Sequence, residues 1–202
     1  MAQTLRSIEV ELSGELLRVF YPLLQAGVEV EARVGCTIKQ LLTEQFGIAA
    51  DYLTNRITTV FLNHKAVDNV ESAVVRDGAI LALSGAMPGL VGATMRTGGY
   101  YAAMRGNMTY DDQDQSQKAE SGRIKLKLFN LLLDELGPRV LLRGIQLNGA
   151  RFKEFLTAQP IELRWRDCQL DGRPVTADFL KENQDLFNGD TLVKLKVYVG
   201  AL

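Results

Sequence analysis

Histidine and cysteine are nearly missing from this chain. Its 202 residues hold one histidine, His64, and two cysteines, Cys36 and Cys168. A single imidazole nearly excludes His-based triads and multi-His metal sites, and the two thiols do not stand at metal-ligand spacing. A reducing compartment would keep both as thiols. An excess of either charge is also missing: 23 Lys and Arg oppose 24 Asp and Glu, for a net charge of −1. Binding to nucleic acid or an anionic membrane through a broad basic surface is therefore not expected. No apolar run reaches the length of a bilayer span, and Met1 to Leu12 lacks the apolar core of a signal peptide. The expectation is a cytoplasmic protein with no nucleic-acid and no membrane partner. No catalytic constellation, metal site or cofactor site is legible, so a non-catalytic role is expected.

What the chain does have is a repeat, a feature worth finding first because it fixes the architecture. Gly35-Cys36-Thr37-Ile38-Lys39-Gln40-Leu41-Leu42-Thr43-Glu44-Gln45 returns as Gly149-Ala150-Arg151-Phe152-Lys153-Glu154-Phe155-Leu156-Thr157-Ala158-Gln159. The match extends outward. Ile8 to Leu12 and Ile124 to Leu128 both alternate apolar and polar residues, the period of a half-buried strand. Leu17 and Pro22 correspond to Leu133 and Pro138, and a short helical or irregular crossing is expected to end at each proline. A second strand follows, at Val28 to Ala32 and at about Gly144 to Leu147.

Thr37, Ile38, Leu41, Leu42 and Phe46 then sit at helical spacing, with Thr37 or Cys36 as cap and Gly47 as stop. Phe152, Phe155 and Leu156 form the equivalent core stripe. A third strand is expected at Ile57 to Leu62 and at Ile161 to Trp165, followed by turns at Asn63-His64 and Asp171-Gly172. Last strands follow Asp77-Gly78 and Gly189-Asp190. Each copy thus reads strand, strand, helix, strand, strand. The predicted class is α+β, with domains at 1–84 and 123–202 separated by segments 85–106 and 107–122.

This order, with Gly35-Cys36-Thr37-Ile38 and Leu41-Leu42, Asn63 to Val67, Asp77-Gly78 and Asn188-Gly189-Asp190, resembles the β-grasp or ubiquitin-like fold. More narrowly it resembles the MoaD/ThiS sulfur carriers. The resemblance implies two tandem β-grasp domains, each a mixed sheet with one main helix. It also implies a partner in sulfur transfer or molybdenum/tungsten cofactor maturation, such as an adenylating enzyme or a cofactor-dependent enzyme. Those carriers act through a C-terminal Gly-Gly, whose lack of Cβ suits a narrow channel. Here the chain ends Gly200-Ala201-Leu202, and the first copy runs on through Pro88-Gly89-Leu90. Neither copy is a carrier as encoded.

The repeat leaves Ser84 to Gly106 unmatched. Met87, Leu90, Val91, Met95, Tyr100, Tyr101 and Met104 make this segment too apolar for a spacer and suit it to an interdomain clasp or a partner surface. Met95-Arg96-Thr97-Gly98-Gly99 resembles a ubiquitin-type terminus, so cleavage after Gly99 would make a carrier of it, and the Gly98-Gly99 amides near Arg96 and Arg105 offer a generic phosphate contact as an alternative. The acidic run Asp111-Asp112-Gln113-Asp114 reads as a solvated linker. Of the remaining residues, Cys36 stands at a helix start that would lower a thiol pKa, although a half-buried structural cysteine is the plainer expectation. His64 reads as a turn residue and Trp165 as core or an interdomain contact. Arg164, Arg166 and Arg173, offset by Asp167 and Asp171, read as a charged surface. A nucleotide- or RNA-binding module of the TGS type is a further alternative, and the near-neutral charge argues against it.

Overall fold

The computed structural model describes residues 4–110, 120–159 and 165–200. The run Asp111 to Asp114, the expected strand residues Ile161 to Arg164 and the terminal Ala201-Leu202 lie outside them. Along the chain come β1 (Thr4–Leu12), α1 (Tyr21–Ala26), β2 (Val28–Val34), β3 (Cys36–Thr37), α2 (Ile38–Gln40) and α3 (Ala50–Arg56). Next are β4 (Thr59–Leu62), β5 (Lys65–Ala66), β6 (Val74–Val75), β7 (Ile80–Ser84), α4 (Gly89–Met95) and β8 (Glu120–Phe129). The last stretch holds α5 (Leu132–Arg143), β9 (Ile145–Asn148), α6 (Gly149–Ala158), β10 (Asp167–Leu170), β11 (Arg173–Pro174), α7 (Ala177–Glu182) and β12 (Thr191–Val199). The class is mixed α+β, as expected.

The helix after Gly35 forms with Thr37, not Cys36, as its cap. The Thr37 side chain accepts from the Gln40 amide while Gln40 reaches back to the Thr37 backbone, a reciprocal capping box. The helix widens into a π-type turn over Leu41–Gln45 and stops at Gly47, whose φ of 63° suits glycine. Neither crossing ends at its proline. Pro22 is the second residue of α1, in the first turn where an amide hydrogen is not needed. Pro138 lies inside α5, directly after Gly137. Of the second-copy strand expected at Ile161 to Trp165 only Trp165 is described; β10 follows it and leads into the predicted Asp171-Gly172 turn. Helices α3 and α7 were not anticipated.

Two compact units partition the chain: residues 1–23 with 137–202, and residues 24–136. They are not the sequence segments 1–84 and 123–202. Each unit takes its first-strand element from the other half of the repeat. In the first unit the strands run β11-β10-β1-β12-β9, with β1 parallel to β12 and Ile8 level with Leu195. In the second they run β2-β8-β7-β4-β5, with β8 parallel to β7 and Leu126 level with Leu81. The N-terminal strand therefore completes a unit made from the second copy, and the second copy's first strand completes a unit made from the first.

Charge gives a physical reason for the exchange. On the outer side of β12 stand Lys194 and Lys196, and β1 brings Glu9 level with Lys196. Tyr198 donates its hydroxyl to Glu9 Oε2 at 3.2 Å. In the second unit β8 sets Lys125 opposite Glu29 and Arg123 opposite Glu31. Without exchange, Lys125 and Lys127 of β8 would lie beside Lys194 and Lys196 of β12. Like charges on neighbouring strands destabilise a sheet, and opposite charges support it.

The two units differ in one respect. In the second unit the incoming strand β8 lies beside β2, whereas in the first the incoming β1 lies beside β10 and β12 lies beside β9. Both members of the β1·β12 pair bury alternate residues on the same side (Ile8, Val10 and Leu12; Val193, Leu195 and Val197). Burial is thus satisfied in either lane.

The first unit's core joins these strands to α6. Phe20 meets Phe155 with ring centroids 5.1 Å apart, and Phe152 meets Phe187 edge-on at 4.9 Å. Trp165, half-buried, stacks on Phe20 at 6.2 Å. In the second unit Ile38, Leu41 and Leu42 are buried with Leu62, Leu81, Leu83, Ile124 and Leu128.

Candidate functional site

The unmatched segment builds a strap that belongs wholly to the second unit. It leaves β7, and α4 forms after Pro88. Inside α4, Gly92 is buried, and a Cβ there would fall 1.8 Å from the Met87 carbonyl oxygen. No other residue fits that approach. Beyond α4, the Thr97 amide donates to the Thr58 carbonyl at 2.9 Å and its hydroxyl to the Val67 carbonyl at 3.2 Å. The Gly98 amide donates to Asp68 Oδ1 at 2.9 Å, and Gly99 donates to the Arg96 carbonyl at 3.0 Å. A 3-10 helical stretch over Tyr100–Met108 then breaks at Gly106, with φ 53°. The Tyr110 amide closes the strap by donating to the Ala66 carbonyl at 2.8 Å.

Arg105 is the pin. Its side chain is fully buried and donates to Asp68 Oδ1 at 2.8 Å and to the carbonyls of Thr94 and Arg96. A buried guanidinium holds its place only when its donors are met by fixed acceptors. Here those acceptors tie the end of α4, the Gly98-Gly99 turn and the β5–β6 connection to one side chain.

What the pinned strap presents outward is apolar. Tyr100 is 93% exposed, and Leu90, Val91 and Met104 are more than half exposed. Tyr101 and Met108 are also exposed, and the Tyr100 and Tyr101 rings meet edge-on at 5.1 Å. Of the residues singled out from sequence, Leu90, Val91, Tyr100, Tyr101 and Met104 thus share one exposed segment. Met95 is half-buried, and Met87 lines a pocket beside the strap. Gly98 and Gly99 occupy a fastened turn. Arg105, expected beside Gly98-Gly99 as a phosphate contact, is instead buried on protein acceptors; sequence reasoning missed Asp68 and Met108, and nothing local to Arg105 marks it as buried.

Other candidates fall into plain roles. Cys36 and Cys168 are free and buried. Burial raises the Cys36 thiol, outweighing Arg33, so the helix start does not activate it. Burial, with Asp167 alongside, pushes Cys168 up to about 12. His64 sits exposed in its turn at φ 68°. Asp171 pairs with Arg6 at 2.7 Å and accepts from the Ser7 amide, a partner outside the expected arginine group. Arg56 and Tyr52 both donate to Glu135, which these bonds hold below the ordinary carboxylate range. Among the described residues no cluster of His, Cys, Asp and Glu is arranged to hold a metal ion, and no helix is long and apolar enough to cross a membrane.

No protein-family model, curated protein or solved structure matches this chain.

Proposed function

We propose that this chain is a protein-binding module built from two β-grasp units with exchanged first strands, and that the strap from Gly89 to Met108 is its partner surface. The observation that carries this is the exposure of aromatic, Met and aliphatic side chains on a segment fixed from beneath by Arg105. Exposed apolar groups on a mobile tail would cost ordering entropy on binding, and a preorganised surface avoids much of that cost. Tyr and Met are also the side chains that interfaces favour. The β-grasp assignment is supported by the β2-β8-β7-β4-β5 order around a central parallel pair. The resemblance to sulfur carriers favours a partner from sulfur transfer or cofactor maturation, an adenylating or cofactor-dependent enzyme.

Site-specific photo-crosslinking tests the reading in the native host. A photoreactive residue at Tyr100 gives a discrete protein adduct that excess wild-type chain competes away and a Tyr100→Ser/Met104→Ser chain does not. The same residue at exposed Asp178 gives no such adduct. Equal adducts at both positions, or none at Tyr100, would refute the proposal.

A carrier released by cleavage after Gly99 is the competing reading. It is less supported, because the turn that a protease must enter is held by Asp68, Arg96 and Arg105. Intact mass of the chain from its host separates the two: a species ending at Gly99 favours the carrier.

A further inference from the structure

The second unit carries a pocket of about 550 Å³ on the outer side of β4, β7 and β8. Its floor follows from register. Ala82 pairs with Phe61 on one side and with Lys127 on the other, and residues two apart along a strand face the same way. Ile80 therefore flanks Ala82 on β7, and Phe129 flanks Lys127 on β8. The smallest side chain of the group lies at the centre, between two aromatic rings, an isoleucine and a lysine stem. Met87 and Pro88, where the chain leaves β7, wall one end, and the Asn63-His64 turn closes the other. Asn130 steadies the first wall by donating to Ser84 Oγ at 2.9 Å and to the Ala86 carbonyl.

The charge of this pocket has one sign. Lys127 and His64 are its titratable lining groups, and no carboxylate lines it. Among the described residues the Lys127 ammonium makes no ion pair, although its stem lies over Gly27. A pocket of this volume is the size that takes small organic ligands, and such sites combine apolar walls with a few polar groups that fix orientation. An anionic head on the ligand adds a charge-assisted bond to Lys127 that an apolar body alone does not make. A dianion would bring a second charge that the phenylalanine and methionine walls do not solvate.

We propose that this pocket binds a small amphipathic monocarboxylate, its apolar body over Ala82 between Phe61, Ile80 and Phe129 and its carboxylate paired with Lys127. The site is separate from the exposed side of the strap and does not depend on the strap's partner. It shares with the strap only the Met87-Pro88 wall.

Calorimetric titration of the full chain tests this with decanoate and 2-naphthoate, which separate a chain-shaped body from a ring-shaped one, and with the neutral amide of each. At least one acid saturates at one molecule per chain with a Kd below about 1 mM, and its amide binds about tenfold more weakly, the loss expected for one charge-assisted hydrogen bond. Lys127→Met weakens the acid about tenfold and leaves the amide unchanged. Ala82→Phe fills the floor and removes binding of both. Lys127→Met keeps the apolar stem on an exposed strand face, so its result stands even if Ala82→Phe fails to fold. The proposal falls if neither acid saturates at one per chain, or if Lys127→Met leaves the affinity of the acid unchanged.

Discussion

Arg105 and Asp68 meet at 2.8 Å, and the carboxylate oxygen that takes the guanidinium also takes the Gly98 amide at 2.9 Å. One aspartate atom thus joins a buried cation to the turn before Tyr100. Asp68 itself keeps about a third of its side chain exposed, at 35%. The pair spans the edge of the unit, with its arginine end dry and its carboxylate end reached by water.

Removing the pin should loosen the strap before it unfolds the unit. Asp68→Asn leaves the buried guanidinium without its counter-charge, a change that costs about 3 kcal/mol. Urea unfolding measures the loss, and limited proteolysis should show cleavage in 89–108 that wild type resists. An unchanged cleavage pattern would mean that the Gly98 turn and the Tyr110 closure hold the strap by themselves.

The exchange of first strands should respond to charge reversal. Glu9→Lys places a lysine level with Lys196 and should destabilise the chain by about 1 kcal/mol. Lys196→Glu in the same chain should recover most of that loss, and a double-mutant cycle isolates the coupling. Spin labels at Ser7 and Lys194, level in β1 and β12, should report a short distance in the full chain. A long distance would place β1 elsewhere.

Crowding at Gly92 should reach both faces of the strap. Gly92→Ala drives a methyl against the Met87 carbonyl, an overpacking worth about 1–3 kcal/mol. Because Met87 also walls the pocket, amide chemical shifts should move at Ser84 and Phe129 as well as along α4. Shifts confined to α4 would show that the wall is independent of it.

Acid should act through Glu135. Hydrogen bonds from Arg56 and then Tyr52 depress its folded pKa below the ordinary 4.5. Its stabilising contribution is therefore whole above that value and is lost as pH falls through the depressed folded one. Arg56→Met should flatten the stability profile on the acid side of 4.5 and leave the neutral range with the same slope.

Alkali should act through Cys168. Its folded pKa of about 12 stands above the ordinary thiol value of 9.0, so the folded state holds its proton longer than the unfolded chain. The contribution is complete below 9.0 and fades toward 12. Native chain at neutral pH should react slowly with thiol reagents at both cysteines, and reaction should track unfolding in urea. Rapid labelling of native Cys36 would contradict its burial.

Much of the sheet was legible in the sequence because its strands alternate cleanly. Ile8-Glu9-Val10-Glu11-Leu12 and Leu192 to Val199 could be placed from period alone, whereas the cap was narrowed only to Thr37 or Cys36. Strand partners were not legible in the same way. Alternation states which face is buried but not which neighbour covers the edge, so β1 was assigned to its own copy. The lysines of β8 and β12 carried a clue to the exchange, visible only once those strands are laid side by side. Arg105 was hidden for a similar reason: a buried arginine looks like a surface one until its acceptors at Thr94, Arg96 and Asp68 are brought around it. The exposed residues of the strap were easier, because Leu90, Tyr100 and Met104 stand in a segment that the repeat does not explain.

The pairing of Thr4–Leu12 with Thr191–Val199 also sets a timetable for the ribosome. β1 must wait until Thr191–Val199 has been made before its parallel neighbour exists. Residues 24–136 face no such delay, since every described strand of that unit has appeared once Phe129 is out. The middle of the chain is therefore positioned to fold during synthesis, while an exposed amphipathic strand trails from its N-terminal side. Contacts this distant in sequence are slow to form, and an unpaired strand edge is open to the wrong neighbour while it waits. Glu9 and Glu11 then have a second use: they keep that waiting edge charged.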